Sequence, residues 1–293
     1  MLLSLITLNY KKHEMTKACM ESLYAQYKKQ FEDNTMELIV VDNDSQDDSV
    51  PELKKEVKEK QYKNVHVIAN PSNSGFGAGC NTGASDAKGD FLLFINNDTL
   101  AKDNGILAMA YYLKDHPEIA ILGGQLRNFD GSLQASAGNF YTLGNAALLL
   151  AGGQKFGLLD RSPKTIQEVD WVKGGLMMVR KSDFIDLDGF DEKIFMYTED
   201  MEICYRAHLA GKKVYFYPDV MVLHKDQGSS SKTFAIVNIY KNLLYFYKKH
   251  RSHSEYLIMK GMLEAKAKTL IQVGKRTNNS YLVETYEKAL AGL

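Results

Sequence analysis

The first half of this 293-residue chain predicts an α/β fold, with a mostly parallel sheet covered by helices on both faces. Three observations carry the prediction. Short apolar runs alternate with longer segments of helical spacing. The run Phe-Leu-Leu-Phe-Ile at residues 91–95 is apolar throughout, as a strand buried on both faces must be. Asp42 and Asp98 stand just past the ends of two such runs, where open sheets of this class meet their ligands.

Residues 2–8 are apolar and strand-like, and 14–31 place apolar side chains near helical spacing. Residues 38–41 form a short β-branched run ending in Asp42. Residues 47–60 are a charged helix with Pro51 in its first turn, where a missing N–H is tolerated. A strand at 65–69, a small-residue helix at 77–87, the strand at 91–95, a helix at 104–114 and a strand at 119–122 complete the alternation. Residues 125–129 and 133–137 flank Asp130-Gly131 and read as a hairpin. Residues 140–168 are Gly-rich and poorly periodic, a loop region with one short helix. A strand at 176–180, a helix at 198–210 and short strands at 214–217 and 220–223 follow. From residue 233 onward the pattern is helical. The economical division is one continuous domain over residues 1–232 with a basic helical extension over 233–293.

Composition narrows the function classes. Hydrophobic residues make up 45% and charged residues 25%, which excludes a disordered or collagen-like chain. The 36 basic and 36 acidic residues cancel, but unevenly. Residues 1–232 carry a net charge of −6 and residues 233–293 a net charge of +6, a split that fits an acidic body with a tail that meets an anionic surface. An ordinary solvated basic helix fits as well. Cys19, Cys80 and Cys204 are widely spaced with no C-x-x-C, which argues for a reducing compartment and against a disulfide framework or Cys-based zinc site. No signal peptide is expected at residues 2–8. The apolar stretch 234–247 is too short to span a membrane and contains Asn238, Lys241 and Asn242.

Five constellations could carry chemistry. In Val41-Asp42-Asn43-Asp44-Ser45-Gln46-Asp47, a carboxylate after a buried strand can accept from a base or ribose, or the stretch is a turn with Asp47 as helix cap. In Asn73-Ser74-Gly75-Phe76-Gly77-Ala78-Gly79-Cys80-Asn81, glycines before a helix allow close approach to phosphate, although the spacing is neither the dinucleotide fingerprint nor a P-loop. In Asn96-Asn97-Asp98-Thr99, Asp98 offers a hard oxygen to Mg2+ or Mn2+, or forms an Asx turn. Glu199, Asp200 and Glu202 cluster in one helical turn behind Thr198; they are either acids complementing the helix dipole or a tuned general base. His224 ends a short strand. Such a histidine is usually a satisfied polar residue, yet as a second ligand it would repair the shortage at Asp98.

In this order the motifs resemble the inverting family-2 glycosyltransferases of the GT-A fold, closest to rhamnosyltransferase-like bacterial members. The resemblance runs over roughly residues 2–231. It rests on Thr7-Leu8-Asn9, Val41-Asp42-Asn43-x-Ser45-x-Asp47, Asn73-x-Gly75-Phe76-Gly77-x-Gly79-x-Asn81 and Asn96-Asn97-Asp98-Thr99. Asp170-Trp171-Val172-x-Gly174-Gly175, Gly189-Phe190-Asp191-Glu192-x-x-Phe195-x-Tyr197-x-Glu199-Asp200 and His224 complete it. The resemblance implies a Rossmann-like GT-A domain in which Thr7, Asn9, Asp42, Asn73, Gly75 and Asn97 line the nucleotide. Trp171, Gly174 and Gly175 border the acceptor, Asp98 and His224 hold Mn2+ or Mg2+, and Asp200 is the base with Glu199 beside it. Two positions depart from the family pattern. The D-x-D signature is Asn-Asn-Asp, and the acid often found as Asp after the E-D pair is Glu202.

What the resemblance implies is transfer of a sugar from a nucleotide sugar, best L-rhamnose from dTDP-rhamnose. The acceptor is a saccharide or polyprenyl-linked saccharide in surface polysaccharide assembly. A sugar-nucleotide nucleotidyltransferase is the alternative enzyme, disfavoured because the first strand runs into Asn9-Tyr10-Lys11-Lys12 rather than a Gly-rich basic loop. A degenerate scaffold subunit is the alternative outside catalysis, opposed by the retained Asp42, Asp98 and Glu199-Asp200. The expected location is cytoplasmic, with the mixed aromatic and basic stretch within residues 233–251 either docking on the inner membrane face or packed with its cations in water. A homodimer is left open, and nucleic acid is not expected because the tail lacks a recognisable module.

Overall fold

The structure, a computed structural model, describes residues 1–150, 160–225 and 231–293. Its first elements are β1 (Leu3–Asn9), α1 (His13–Glu32), β2 (Met36–Asp42), α2 (Ser49–Glu59), β3 (Val65–Ala69), α3 (Phe76–Asp86), β4 (Phe91–Ile95), β5 (Thr99–Ala101), α4 (Gly105–Asp115) and β6 (Ile119–Arg127). Next come β7 (Ala137–Gly138), α5 (Leu143–Leu150), β8 (Asp160–Arg161), β9 (Gln167–Glu168), β10 (Trp171–Val172), β11 (Leu176–Arg180), α6 (Lys181–Asp186), α7 (Glu199–Leu209) and β12 (Lys213–His224). The chain ends with α8 (Lys232–His250), α9 (His253–Arg276) and α10 (Ser280–Ala291). Two compact units result. One is Met1–Gly138, Arg161–Phe195 and Glu199–Gly228; the other is Asn139–Asp160, Met196–Thr198 and Ser229–Leu293.

The first unit is the expected α/β sheet. Its strand order is β3-β2-β1-β4-β11-β6-β12-β5, with β9 pairing β12. Strands β3, β2, β1 and β4 are mutually parallel, and β12 is parallel to β6. β11 runs against its neighbours β4 and β6, as β5 and β9 run against β12, so the first residues of β11 arrive where β4 and β6 end. One face packs Leu3, Leu5, Leu38, Val40, Leu93 and Ile95 against Met20, Leu23, Tyr27 and Phe31 of α1 and Ile106, Met109 and Leu113 of α4. Each such side chain contributes roughly 1.5–3 kcal/mol by leaving water. On the other face Phe94 meets Phe184 and Phe190, with ring centroids 5.1 and 4.9 Å away. The glycines of α3 let that helix settle onto Ile6 and Val41: a Cβ at Gly83 would stand 2.6 Å from Ile6 Cγ2.

Several expected elements differ. The hairpin expected at 125–137 is cut short. β6 runs unbroken through Arg127, and the returning segment touches it at a single bridge, Arg127 to Leu133. Gly123 and Gly124 let Val172 and Leu176 pack against β6, since these side chains sit where the glycines' Cβ atoms would be. The two short strands at 214–223 are one strand, β12, whose register shifts between Tyr217 and Val222 around Pro218, a residue with no N–H for the ladder. β5 has no counterpart among the expected elements, and the short helix expected within 140–168 is α5; residues 151–159 of that region lie outside the described residues. The helix expected from Thr198 begins at Glu199. Thr198 is left-handed, with φ of 71°, and its hydroxyl has no hydrogen-bond partner.

The second unit is helical. Tyr240, Leu243, Leu244, Phe246 and Tyr247 of α8 are buried in it. Tyr247 Oη donates to Tyr141 O at 2.7 Å, and Tyr240 meets the ring of Tyr286 edge-on. The aromatic side chains expected to dock on a membrane are therefore largely occupied in packing, while Lys241, Lys248 and Lys249 face water. Asn242 donates to Met196 O and Tyr197 O at 2.8 and 2.9 Å. It thereby holds two consecutive left-handed residues, Tyr197 and Thr198, a conformation that a β-branched residue rarely adopts. Ser252 and Glu255 close a reciprocal capping box at the start of α9. No helix among the described residues is long and apolar enough to cross a membrane.

Two alanine substitutions test this packing in opposite senses. Gly83→Ala forces a methyl onto the stiff Ile6 side chain and is expected to destabilise by about 1–3 kcal/mol. Gly261→Ala, inside α9 with open space at its Cβ, is expected to stabilise by about 0.5–1 kcal/mol. Denaturant midpoints of the two variants check both signs.

Candidate functional site

The parallel strands bring most of the sequence-selected residues to one edge of the first unit. Asn9 ends β1, Asp42 ends β2, Asn96, Asn97 and Asp98 follow β4, Gly174 and Gly175 precede β11, and His224 ends β12.

A buried polar chain joins the first three of these ends. Asp42 Oδ2 accepts from Asn9 Nδ2 and Ser45 Oγ, both at 2.6 Å, and Oδ1 accepts from Ser45 N. Asn9 Oδ1 accepts from Thr16 Oγ1 at 2.8 Å, and Thr16 Oγ1 in turn accepts from Asn97 Nδ2 at 2.9 Å. Three of the roughly four acceptor positions of the Asp42 carboxylate are thus taken by the protein. Thr7, on the same face of β1, is buried and its Oγ1 has no partner.

The glycine loop is shaped by the protein's own backbone. Asn73 Oδ1 accepts from Gly75 N and from Asn43 Nδ2, which also donates to Gly75 O. Gly75 has φ of 100°, and a Cβ there would stand 2.1 Å from Phe195 O, which accepts the Phe76 N–H. Gly77 faces Phe190 and Gly79 faces Leu8 with similarly little room. The alternate glycines therefore let the 190–195 segment and β1 approach α3.

Asp98 and His224 meet because β12 pairs β5, placing His224 opposite Thr99. His224 Nε2 lies 3.2 Å from Asp98 Oδ1. That oxygen is buried and engaged in no hydrogen bond. Among the described residues no group of three or more His, Cys, Asp or Glu side chains converges. A carboxylate oxygen free of donors and an imidazole nitrogen at this separation nonetheless fit two positions of a divalent cation. Mg2+ and Mn2+ commonly take their remaining ligands from substrate phosphates and water.

Glu199 and Asp200 open α7. Asp200 Oδ2 accepts the Gly174 N–H at 3.0 Å, and Oδ1 accepts Met201 N at 2.8 Å. Glu199 is buried, and its Oε2 has no partner. Burial, joined by the neighbouring Asp200 charge, pushes the Glu199 carboxyl up to about 8. Burial raises Asp200 as well, while the Gly174 and Met201 N–H groups hold it down. Two adjacent carboxyls that cannot both ionise freely share their protons unequally, and the one without donors keeps its proton longer. Glu202, one turn on, is spoken for: it is wholly buried in a bidentate pair with Arg206, whose other nitrogens reach Leu187 O and Gly189 O.

Trp171 is buried with its indole against Gly138, and Gly175 borders Asn96. Two further residues of the site gave no signal in the sequence. Thr16 bridges Asn9 to Asn97 from the middle of no motif. Gln134 accepts from His224 Nδ1 at 2.7 Å after a turn whose only visible mark is Asp130-Gly131.

The sequence model of Glycosyl transferase family 2 matches residues 4–181. The chain belongs to that family. Asp200 and His224 lie beyond the matched stretch. Among curated relatives, rhamnosyltransferase WbbL of Escherichia coli K12 is 31% identical over 140 residues, 47% of this chain and 53% of that protein. The N-acetylglucosaminyl-diphospho-decaprenol L-rhamnosyltransferase of Mycobacterium tuberculosis is 27% identical over 195 residues, 59% of this chain and 62% of that protein. The matches thus span only about half to three fifths of these relatives' length. Among solved structures, a mannosyltransferase of Pyrobaculum calidifontis in complex with GDP-Man and Mn2+ aligns with TM-score 0.61 at 14% identity, covering 99% of this chain and 74% of that one. Staphylococcus aureus TarS with UDP-GlcNAc aligns with TM-score 0.56 at 15% identity, covering 99% and 91%. These likenesses establish the GT-A fold for this family-2 chain.

The carboxyl pair has a measurable signature. Between its ordinary value of 4.5 and about 8, folded Glu199 keeps a proton that the unfolded chain has released, so stability falls as pH rises through that window. Glu199→Gln removes this term. Its melting temperature is expected to decline less than that of the unsubstituted chain over about pH 5 to 8, and parallel profiles would show that Glu199 ionises normally.

Proposed function

We propose that the chain is an inverting glycosyltransferase that uses Asp200 as general base. The observation that carries this reading is the Asp200 carboxylate, held by the Gly174 N–H beside a Glu199 that retains its proton. With Glu199 neutral, the negative charge sits on Asp200, on the oxygen pair that backbone donors orient. Asp200 would take the acceptor hydroxyl proton as that oxygen attacks the anomeric carbon and the nucleoside diphosphate leaves from the opposite face. One displacement inverts the centre and requires no covalent nucleophile.

The nucleoside end of the donor is assigned to Thr7, Asn9, Asp42, Asn73, Gly75 and Asn97. Support for this is the buried hydroxyl of Thr7 without a partner and the fixed polar chain from Asp42 to Asn97. Gly174 and Gly175, and Trp171 behind them, border the acceptor side. Asp98 Oδ1 and His224 Nε2 would hold Mn2+ or Mg2+. When bound, such a cation neutralises charge on the leaving diphosphate.

For the donor we favour dTDP-rhamnose, and for the acceptor a saccharide on a polyprenyl diphosphate. The support is the pair of relatives named as rhamnosyltransferases, one of them for N-acetylglucosaminyl-diphospho-decaprenol. Such an acceptor would bring the enzyme to the inner face of the cell membrane. Contact through residues 233–251 would then rest on their cations, because most aromatics of α8 are buried.

Two measurements test the mechanism. Asp200→Asn is expected to lower transfer by about 10²–10⁴-fold while nucleotide binding persists; full activity would overturn the base assignment. Across a panel of nucleotide sugars, hydrolysis and thermal shift are expected to be largest for dTDP-rhamnose with Mn2+. Equal rates in excess chelator would remove the cation from the mechanism.

A further inference from the structure

We infer that Gln134 is a positioning residue that sets the tautomer of His224 and turns its bare Nε2 toward Asp98. This rests on the reading of Asp98 and His224 as cation ligands. The orientation of the Gln134 amide is fixed by its own bonds. Nε2 donates to Asn128 Oδ1 at 2.7 Å and to His224 O at 3.0 Å, so Oε1 is the atom that faces the ring. Oε1 has no proton to give. The contact of 2.7 Å with His224 Nδ1 therefore requires Nδ1–H as donor. In the neutral ring the lone pair then lies on Nε2, 3.2 Å from Asp98 Oδ1 and 3.1 Å from Asn96 Nδ2. In the metal-free chain that lone pair accepts from Asn96 Nδ2–H, and a cation bound between Nε2 and Asp98 Oδ1 would take the place of that donor.

Gln134 is well placed to impose this choice. It is 8% exposed. Its backbone N–H donates to Leu126 O at 3.0 Å, and its carbonyl accepts from Gln125 Nε2 at 2.7 Å and Ser162 Oγ at 2.9 Å. Turning the amide over would place its Nε2–H groups against Nδ1–H and its oxygen against two other acceptors. The opposite tautomer would set the Nδ1 lone pair against Oε1. An acceptor on the far nitrogen is what a metal-binding imidazole ordinarily requires, and loss of such a partner costs about 10–100-fold in metal affinity.

Mn2+ binding to the full chain, followed by the electron paramagnetic resonance of free Mn2+, tests the inference. Gln134→Leu is expected to weaken Mn2+ by about 10–100-fold. Gln134→Glu keeps an acceptor for Nδ1–H and is expected to stay close to the unsubstituted chain. Asp98→Asn and His224→Ala are expected to lose the site. Unchanged Mn2+ affinity in Gln134→Leu, with loss in Asp98→Asn, overturns the role of Gln134 and leaves the cation site standing. Absence of Mn2+ binding in the unsubstituted chain, or no effect of Asp98→Asn and His224→Ala, overturns the cation reading and this inference with it. The tautomer can also be read in the unsubstituted, metal-free chain, even if Gln134→Leu fails to fold. With the seven histidines labelled with 15N and His224 assigned by its alanine variant, Nδ1 is expected to be protonated and Nε2 bare. The reverse pattern overturns the inference.

Discussion

The hydrogen bond from Asn9 Nδ2 to Asp42 Oδ2 is the contact on which the site edge depends. It joins the last residues of two adjacent parallel strands and supplies a donor to a carboxylate only 2% exposed. A buried charge is tolerable only when its lone pairs are met. Ser45 meets two more of them and so fixes the turn after β2. Asn9 in turn orders Thr16, and Thr16 orders Asn97. The requirement to satisfy one carboxylate thus propagates across three strand ends and reaches the residue preceding Asp98.

The reversed strand inside the sheet, β11, supplies the other half of the site. Parallel strands deliver residues to the carboxyl edge only as they leave the sheet. β11, running the other way, delivers Gly174 and Gly175 as the chain enters it. Gly174 N–H therefore points into a region that α7 also reaches, and Asp200 closes the contact.

The parallel half of the fold was legible because its signal is local: each strand and helix shows its own periodicity within a dozen residues. Asp42, Asp98, His224 and the Glu199-Asp200 pair were legible as an ordered series, although no one of them was decisive. The hairpin misreading at 125–137 has a physical source. Asp130-Gly131 does make a tight turn, but the segment after it pairs β6 only at the Arg127–Leu133 bridge and then leaves as β7 to pair β10. Pro218 marked a break in the sequence, yet the ladder absorbs it as a bulge. The glycines at 75, 77 and 79 suggested approach by a ligand; in the fold it is the 190–195 segment and Leu8 that approach them. Gln134 and Thr16 were illegible because their importance is set by partners 90 and 81 residues away.

The three cysteines, noted at first only for their spacing, are all free and buried. Burial pushes the Cys19 thiol up to about 12, and those of Cys80 and Cys204 are also raised. Thiolates are the reactive form, so the folded chain presents alkylating reagents with almost nothing to attack. The native surface is in effect cysteine-free. A single cysteine placed anywhere on it can carry a spectroscopic label without background, and labelling of the native three becomes a clock for opening of the core.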